Sequence, residues 1–235
     1  MGKKIPRQKK RVSFLRRFIV TLILKVVFHI VCKIESKEYL QTLKQNKPLI
    51  IAFNHINFAE VPILVMQGYP LYISGLAKYE TWKNPIFAFI FNTYRAIPID
   101  RRAAFSETFK QVIETIENGY YMCFSPEGTR SKSGVLGKGK AGIIQLALES
   151  NIPILPVAHH GGENIWKNLK RFKRTPFVIK PGTPFRINFE GRPDKEEREV
   201  ILSEVMGQIA KLLPEQMRGA YSDQALMECK YLEFI

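Results

Sequence analysis

The chain has 235 residues, 46% hydrophobic and 11% aromatic, enough for one substantial core with an appendage. Its 36 Lys and Arg against 21 Asp and Glu give a net charge of +15, which attracts polyanions: nucleic acid, an anionic membrane surface or phosphorylated substrates. Three scattered cysteines with no C-x-x-C spacing argue against a disulfide framework, give no support to a structural zinc site, and point to a reducing compartment.

Residues 1–33 read MGKKIPRQKKRVSFLRRFIVTLILKVVFHIVCK. A basic head before an apolar stretch looks like a signal peptide, but Lys25 interrupts the stretch and no small-residue cleavage site follows Val31. Pro6 stands where a myristoylation signal needs Ser or Thr. The run 18–24 is far short of the ~20 residues that span a bilayer. On a helix, Arg17, Thr21, Lys25 and His29 fall four apart and form a narrow polar stripe, with Phe, Ile, Leu and Val over the rest of the circumference. A charged stripe facing lipid is costly, so the helix is expected to lie in one leaflet with its stripe toward headgroups or protein. The competing reading is an amphipathic helix docked on its own domain. The head lysines and arginines add attraction to anionic lipid. Residues 1–35 are therefore read as a basic head and interfacial helix, and 36–235 as a single domain.

Apolar runs after Pro48 (48–54) and at 70–78 predict strands, with a helix over 58–67 between them. An aromatic-rich helix over 84–92 starts with Pro85 near its first turn. A strand over 96–100 and a helix over 105–117, stopped by Gly119, come next. Further strands are predicted at 120–124 and 152–158, and one or two more in PFVIKPGTPFRINF, with helices over 141–150 and 196–213, the last closed by Pro214. Cys123, in an apolar run, is a core residue. Strands alternating with helices at this spacing predict an α/β domain with a mostly parallel central sheet flanked by helices. Sites in such sheets lie at the carboxyl ends of strands, and two informative stretches fall there: NHINFAE after the first strand and SPEGTRS after YYMCF.

In NHINFAE, His55 and Glu60 are five apart, about 140° around a helix, so they cannot meet along one. They meet if His55 sits in the turn and Glu60 on the first turns of the next helix. A carboxylate on one ring nitrogen fixes the tautomer and leaves the other free as a base, suited to taking a proton from a substrate hydroxyl. The bland alternative is a turn histidine satisfying a carbonyl. In FSPEGTRSKSGVLGKGKAG, Arg130, Lys132, Lys138 and Lys140 stand among glycines that let backbone N–H groups approach an anion, and IDRR (99–102) ends another strand with two arginines. A base and a phosphate site would thus face each other at one sheet edge. Residues 134–140 also fit G-x-x-x-x-G-K, but Ala141 supplies no hydroxyl for magnesium and no strand runs into Gly134, so a nucleotide loop is rejected.

Together these residues resemble the lysophosphatidic acid acyltransferase family, the PlsC-like glycerolipid acyltransferases. Its first motif, N-H-x-x-x-x-D, reads NHINFAE here; the second ends at Arg101 in IPIDR; the third is SPEGTRS; the fourth is IPILPVA. All four occur in the family's order, and the likeness covers roughly residues 48–190, including GLAKYETWKNPIF. The resemblance implies O-acyl transfer to the sn-2 hydroxyl of lysophosphatidic acid from acyl-CoA or acyl-carrier protein as co-substrate, with no cofactor, no metal and no covalent acyl-enzyme. His55 would be the base and Glu60 would hold it; Asn54, Arg101, Glu127, Gly128, Thr129, Arg130 and Lys138 would form the glycerophosphate and oxyanion surroundings. It also implies attachment to a membrane, expected at the cytoplasmic face, monotopic or peripheral. Three positions depart from the pattern: Glu60 replaces Asp, Ser125 an aromatic and Arg95 a Gly.

Two other classes compete. A basic nucleic-acid-binding protein fits the charge, but the cations cluster in the head, in KNLKRFKR (167–174) and at phosphate-like turns, with no DNA or RNA module, so no nucleic-acid partner is expected. A non-catalytic protein of the same fold that binds anionic lipid is the other; within the acyltransferase reading, another lysolipid or glycerol 3-phosphate is the alternative acceptor. His159 and His160 read as a strand-end pair without a catalytic role.

Overall fold

The computed structural model describes residues 12–46, 48–99, 105–131 and 133–235. Short apolar runs bounded by Pro, Gly or Asn become strands, and stretches with one apolar face become helices packed over them. In chain order these are α1 (Phe14–Val31), β1 (Cys32–Glu35), α2 (Tyr39–Gln45), β2 (Ile50–Phe53), α3 (Glu60–Gln67), β3 (Ile73–Lys78), α4 (Pro85–Thr93), β4 (Ile97–Ile99), α5 (Phe105–Glu117) and β5 (Tyr121–Phe124). Then follow α6 (Gly142–Ser150), β6 (Ile154–His160), α7 (Ile165–Leu169), β7 (Thr175–Pro181), β8 (Phe185–Ile187), α8 (Lys195–Leu212) and β9 (Leu232–Phe234).

The strands form one sheet in the order β1-β7-β6-β2-β5-β3-β4, with β8 beside β6 and β9 beside β8. The pairs β1–β7, β2–β5, β2–β6, β3–β4 and β3–β5 are parallel. The pairs β6–β7, β6–β8 and β8–β9 are antiparallel. Central β2 is buried along its whole length, and its side chains alternate between two cores. Ile51 and Phe53 join α1, α2 and α3 on one face, and Ile50 and Ala52 join α5, α6 and α8 on the other. The result is the expected α/β architecture with a mostly parallel sheet.

Local chemistry sets the helix ends. Asn84 caps α4 by accepting from Ile86 N at 2.9 Å and Phe87 N at 3.3 Å, with Pro85 at the first helical position. Asp194 and Glu197 form a reciprocal capping box on α8. Helix α3 begins at Glu60 rather than 58, because Asn57 Oδ1 takes the Ala59 N–H at 2.7 Å and holds the chain in a turn. Elements absent from the sequence reading, β1, α2, α7 and β9, are short; β1 and β9 become strands by pairing with β7 and β8.

The division at residue 35 is corrected by the packing. Val20, Leu24 and Phe28 of α1 belong to the same core as β2 and α3, and residues 32–35 form a strand of the sheet, so α1 is no detached appendage. The first half of its polar stripe, Arg17 and Thr21, points inward, whereas Lys25 is half-buried and His29 exposed. Arg17 donates to Pro70 O at 3.3 Å and Leu71 O at 2.7 Å and lies 3.8 Å from the Tyr72 ring centroid. Thr21 Oγ1 bonds Tyr94 OH at 2.8 Å. Phe14, Leu15, Leu22, Ile23, Val26 and Ile30 point outward and are exposed. Beside α1, Ile86, Phe87 and Phe89 of α4 are exposed too.

Arg17→Ala leaves two carbonyls unpaired beneath α1. It is expected to cost roughly 1–3 kcal/mol, seen as a lower thermal midpoint in detergent; an unchanged midpoint would mean that the inward stripe does not hold α1 to the domain.

Candidate active site

Parallel neighbours end at the same edge of a sheet, so the loops that follow β2 and β5 leave it side by side. Their last register pair is Ala52↔Phe124. On the other side of β2, the end of β6 carries His159 past the last pair with β2, Phe53↔Val157. Three chain segments therefore converge: residues 54–59, 125–131 and 159–162.

The β2 loop is held at every residue. Asn54 donates its Nδ2–H to His159 O and accepts the His159 N–H on Oδ1, both at 2.9 Å, extending the β2–β6 ladder with a side chain. His55 donates its backbone N–H to Glu127 Oε1 at 2.6 Å and accepts Ser131 N–H on its carbonyl at 2.7 Å. Asn57 Nδ2 reaches Gly162 O at 3.1 Å, and a Cβ on Gly162 would lie 2.7 Å from that Nδ2, so only glycine fits.

Glu60 is the first residue of α3 and fully buried. Its Oε1 accepts Nδ1–H of His55. Its Oε2 accepts Ile56 N–H at 3.1 Å and Asn57 N–H at 2.9 Å, and faces His159 Nε2 at 3.1 Å. That Nε2 also lies 2.5 Å from Asn54 O; both neighbours are acceptors, so it carries the proton. Burial pushes the Glu60 carboxyl upward, but the hydrogen bonds from His159 and His55 outweigh it and hold the pKa down at about 2. The helix N-terminus favours the anion as well. With Nδ1–H committed to Glu60, the bare Nε2 of His55 faces the cleft, where it has no partner among the described residues.

Glu127 has no part in the cleft surface. It is buried, and its two oxygens take the N–H groups of His55 (2.6 Å) and Gly137 (2.8 Å). A Cβ at Gly137 would stand 2.7 Å from Glu127 Oε2, so glycine is what admits the carboxylate. Burial raises the Glu127 carboxyl above its ordinary range, tempered by these two bonds. The N–H groups of Leu136, Gly139 and Lys140 are likewise spent on Met217 O, Tyr221 OH and Pro126 O, which leaves no nucleotide cradle in 134–140.

His55 opens onto a cleft of about 2170 Å³. One wall is apolar, with Leu24 and Phe28 of α1, Phe87, Ile90 and Phe91 of α4, and Phe58 stacked on Trp166 at 5.1 Å. The lining also carries Lys78, Arg130, Lys140, Arg192 and Arg198, an excess of cations over Glu149 and Glu163, which line it too. Gly128, at φ 65°, lies under the Lys140 ammonium, 3.2 Å from where its Cβ would be. Such a site joins a base, an apolar trough and a cationic rim, the requirements of a reaction on the hydroxyl of an anionic amphiphile.

Of the residues singled out in sequence, His55 and Glu60 meet as expected, and Gly128, Thr129 and Arg130 line the cleft. Asn54 and Glu127 are corrected: both are buried and turned to backbone, shaping the His55 loop instead of a ligand surface. Lys138 is exposed and outside the cleft walls, whereas Lys140, two residues on, is among them. Arg101 lies outside the described residues. His159 was missed because its contact depends on β6 lying beside β2, which no local pattern encodes. The departures also find places. Arg95 stands at φ 53°, where glycine is free of strain, and Ser125 borders the cleft with a buried, unpartnered Oγ.

The family model for Acyltransferase matches residues 32–160. A 1-acyl-sn-glycerol-3-phosphate acyltransferase of Limnanthes douglasii is 30% identical over 158 residues, 66% of this chain and 54% of that protein. An N-acylphosphatidylethanolamine synthase of Arabidopsis thaliana is 25% identical over 170 residues, 66% of this chain and 60% of that protein. The chain spans about half the length of the first curated relatives it matches. The crystal structure of the 1-acyl-sn-glycerophosphate acyltransferase PlsC from Thermotoga maritima superposes with a TM-score of 0.61 at 20% identity, over 91% of this chain and 81% of that one; this likeness is one of fold.

A carboxyl held at about 2 against an ordinary 4.5 stabilises the fold above its unfolded value, and that stability is lost as pH falls through the folded one. Glu60→Gln is expected to be less stable than wild type at neutral pH by on the order of 3 kcal/mol, the gap closing as pH drops from about 4.5 toward about 2. His159→Phe removes a donor and so raises the folded value toward 4.5, so its acid loss should be smaller and be complete at a higher pH than in wild type. Unfolding titrations across that range check both; parallel pH profiles for all three proteins would contradict the network.

Proposed function

This chain belongs to the acyltransferase family, and from that premise we propose that it transfers a fatty acyl group from a thioester donor, acyl-CoA or acyl-carrier protein, to the sn-2 hydroxyl of lysophosphatidic acid, giving phosphatidic acid. The observation that carries the reading is the bare Nε2 of His55, held by a buried anionic Glu60 at the base of a cleft with an apolar wall and a cationic rim.

The steps follow from that geometry. The acceptor's phosphate sits on the rim of Arg130 and Lys140, which presents its hydroxyl to His55. Nε2 takes the hydroxyl proton as the oxygen attacks the thioester carbonyl, and Glu60 stabilises the imidazolium that forms. Collapse of the tetrahedral intermediate breaks the C–S bond, and the proton on Nε2 passes to the departing sulfur. The acyl chains lie along the α1–α4 wall. Glu127 and Ser131 keep His55 in place through its backbone. The Arabidopsis relative's name points to an amine acceptor, but the excess of cations over carboxylates in the cleft lining favours a phosphomonoester over a zwitterionic headgroup.

The same reading includes a membrane. No helix among the described residues is long and apolar enough to cross one. With Arg17 and Thr21 turned inward, α1 presents a nearly continuous apolar face outward, suited to lying in one leaflet at the cleft mouth.

Labelled palmitoyl-CoA and lysophosphatidic acid are expected to give phosphatidic acid with wild type. His55→Ala should lose roughly 10²–10⁴ in rate, Glu60→Asp should retain activity and Glu60→Ala should lose most of it. Equal turnover by wild type and His55→Ala would remove His55 as the base. Product only with lysophosphatidylethanolamine, or only with acyl-carrier protein, would reassign acceptor or donor while keeping the chemistry. For the membrane, Leu22→Glu together with Val26→Glu leaves the inner face of α1 intact and should sharply reduce co-sedimentation with vesicles; full retention would place the attachment elsewhere.

A further inference from the structure

The segment WKNLKRFKR, residues 166–174, meets the site only through Trp166 in the cleft wall, and its composition suits neither water nor a protein core. Phe172 is 100% exposed at φ 54°, Trp166 is 61% and Leu169 42% exposed. Among them stand Lys167, Lys170, Arg171 and Lys173, all exposed, with no acidic partner among the described residues. Three large apolar side chains at one turn, each flanked by cations, make an amphipathic tip rather than a merely solvated loop.

The topology fixes where the tip lies. Strand β7 runs antiparallel to β6, so its start, just after the tip, is at the sheet edge where β2, β5 and β6 end. Strand β1 is parallel to β7, with Cys32 opposite Thr175, so the end of α1 reaches the same edge. Arg174 Nη2 ties the two together by donating to Cys32 O at 2.8 Å. Trp166 and Phe58 form the cleft wall at the foot of the tip. The tip thus continues the outward apolar face of α1 around the mouth of the cleft.

We propose that residues 166–173 are a second membrane-contact element, which inserts Phe172 and Leu169 among the headgroups of an anionic bilayer while Lys167, Lys170, Arg171 and Lys173 bind their phosphates. Continuity with α1 and the sign of the charge select a lipid surface. Aromatic and basic side chains also suit single-stranded RNA, but a site for RNA would not need to join an apolar helix face. Two contacts, α1 and the tip, on either side of the mouth set the cleft against the bilayer so that a lipid acceptor can enter from the leaflet. The proposal extends the membrane reading of α1 and is tested apart from it.

The full chain is mixed with vesicles of phosphatidylcholine and with vesicles in which a minority is phosphatidylglycerol. Lys170→Gln/Arg171→Gln/Lys173→Gln should weaken partition onto anionic vesicles by on the order of 100-fold and leave neutral vesicles nearly unaffected. Phe172→Ser should weaken both. In a Trp82→Phe background Trp166 is the single tryptophan, and brominated acyl chains should quench it. The substituted loop positions are all exposed, so a thermal midpoint unchanged from that of the Trp82→Phe parent shows that the fold is intact. Wild-type partition by the loop variants with unquenched Trp166 would overturn the tip while leaving α1 as the attachment. Loss of RNA binding without loss of vesicle binding would reassign the tip to nucleic acid. Failure of wild type to bind either vesicle would overturn both membrane readings.

Discussion

A carboxylate removed from water must be met by donors on every side, and Glu60 imposes that demand on two pieces of chain at once, the β2 loop and β6. Its oxygens are reached by His55, by the N–H groups of Ile56 and Asn57, and by His159 from the neighbouring strand. An unpaired buried carboxylate would take up a proton instead. Here the donors keep it anionic, and the anion keeps Nδ1–H of His55 turned inward. The imidazole is therefore oriented by the folding of the β2 loop and the docking of β6, before any substrate arrives.

A second carboxylate works on backbone alone. Glu127 bridges His55 N–H and Gly137 N–H, and Ser131 N–H returns to His55 O. The loop after β5 thus both supplies Gly128, Thr129 and Arg130 to the cleft and fixes the loop that carries the base. Substitution of Glu127 would disturb His55 through its main chain, so a loss of activity there reports positioning and not phosphate binding.

The polarity of α1 belongs to the same design. Its inward Arg17 and Thr21 are satisfied by Pro70, Leu71 and Tyr94, which frees the outward face to be apolar. That face, the exposed aromatics of α4 and part of the cleft's apolar lining all come from α1 and α4, so the proposed membrane surface and the proposed acyl trough share two helices. Under the proposed reaction, the cations of the cleft lining would take the phosphate end of the acceptor, which cannot enter an apolar trough.

The sequence by itself determined the alternation of strand and helix, because apolar run length and Pro, Gly and Asn punctuation act locally; the 105–117 helix is placed to the residue. It allowed the His55–Glu60 pair, since a turn residue followed by a helix start lets five positions close on each other, but residue types alone left a turn histidine on a carbonyl equally open, and the family motif favoured the pair; it also showed the clustering of Gly128, Thr129 and Arg130. Tertiary structure alone decided the rest. The contact of His159 with Glu60 needs the strand order β6-β2-β5. The inward turn of Asn54 and Glu127 needs the ladder partner and the Gly137 backbone. The choice of Lys140 over Lys138 needs the direction each side chain takes from the loop, and the inward stripe of α1 needs the carbonyls of residues 70 and 71. Each of these is a contact between segments far apart in the chain, and a one-dimensional pattern carries composition and period but not which segments become neighbours.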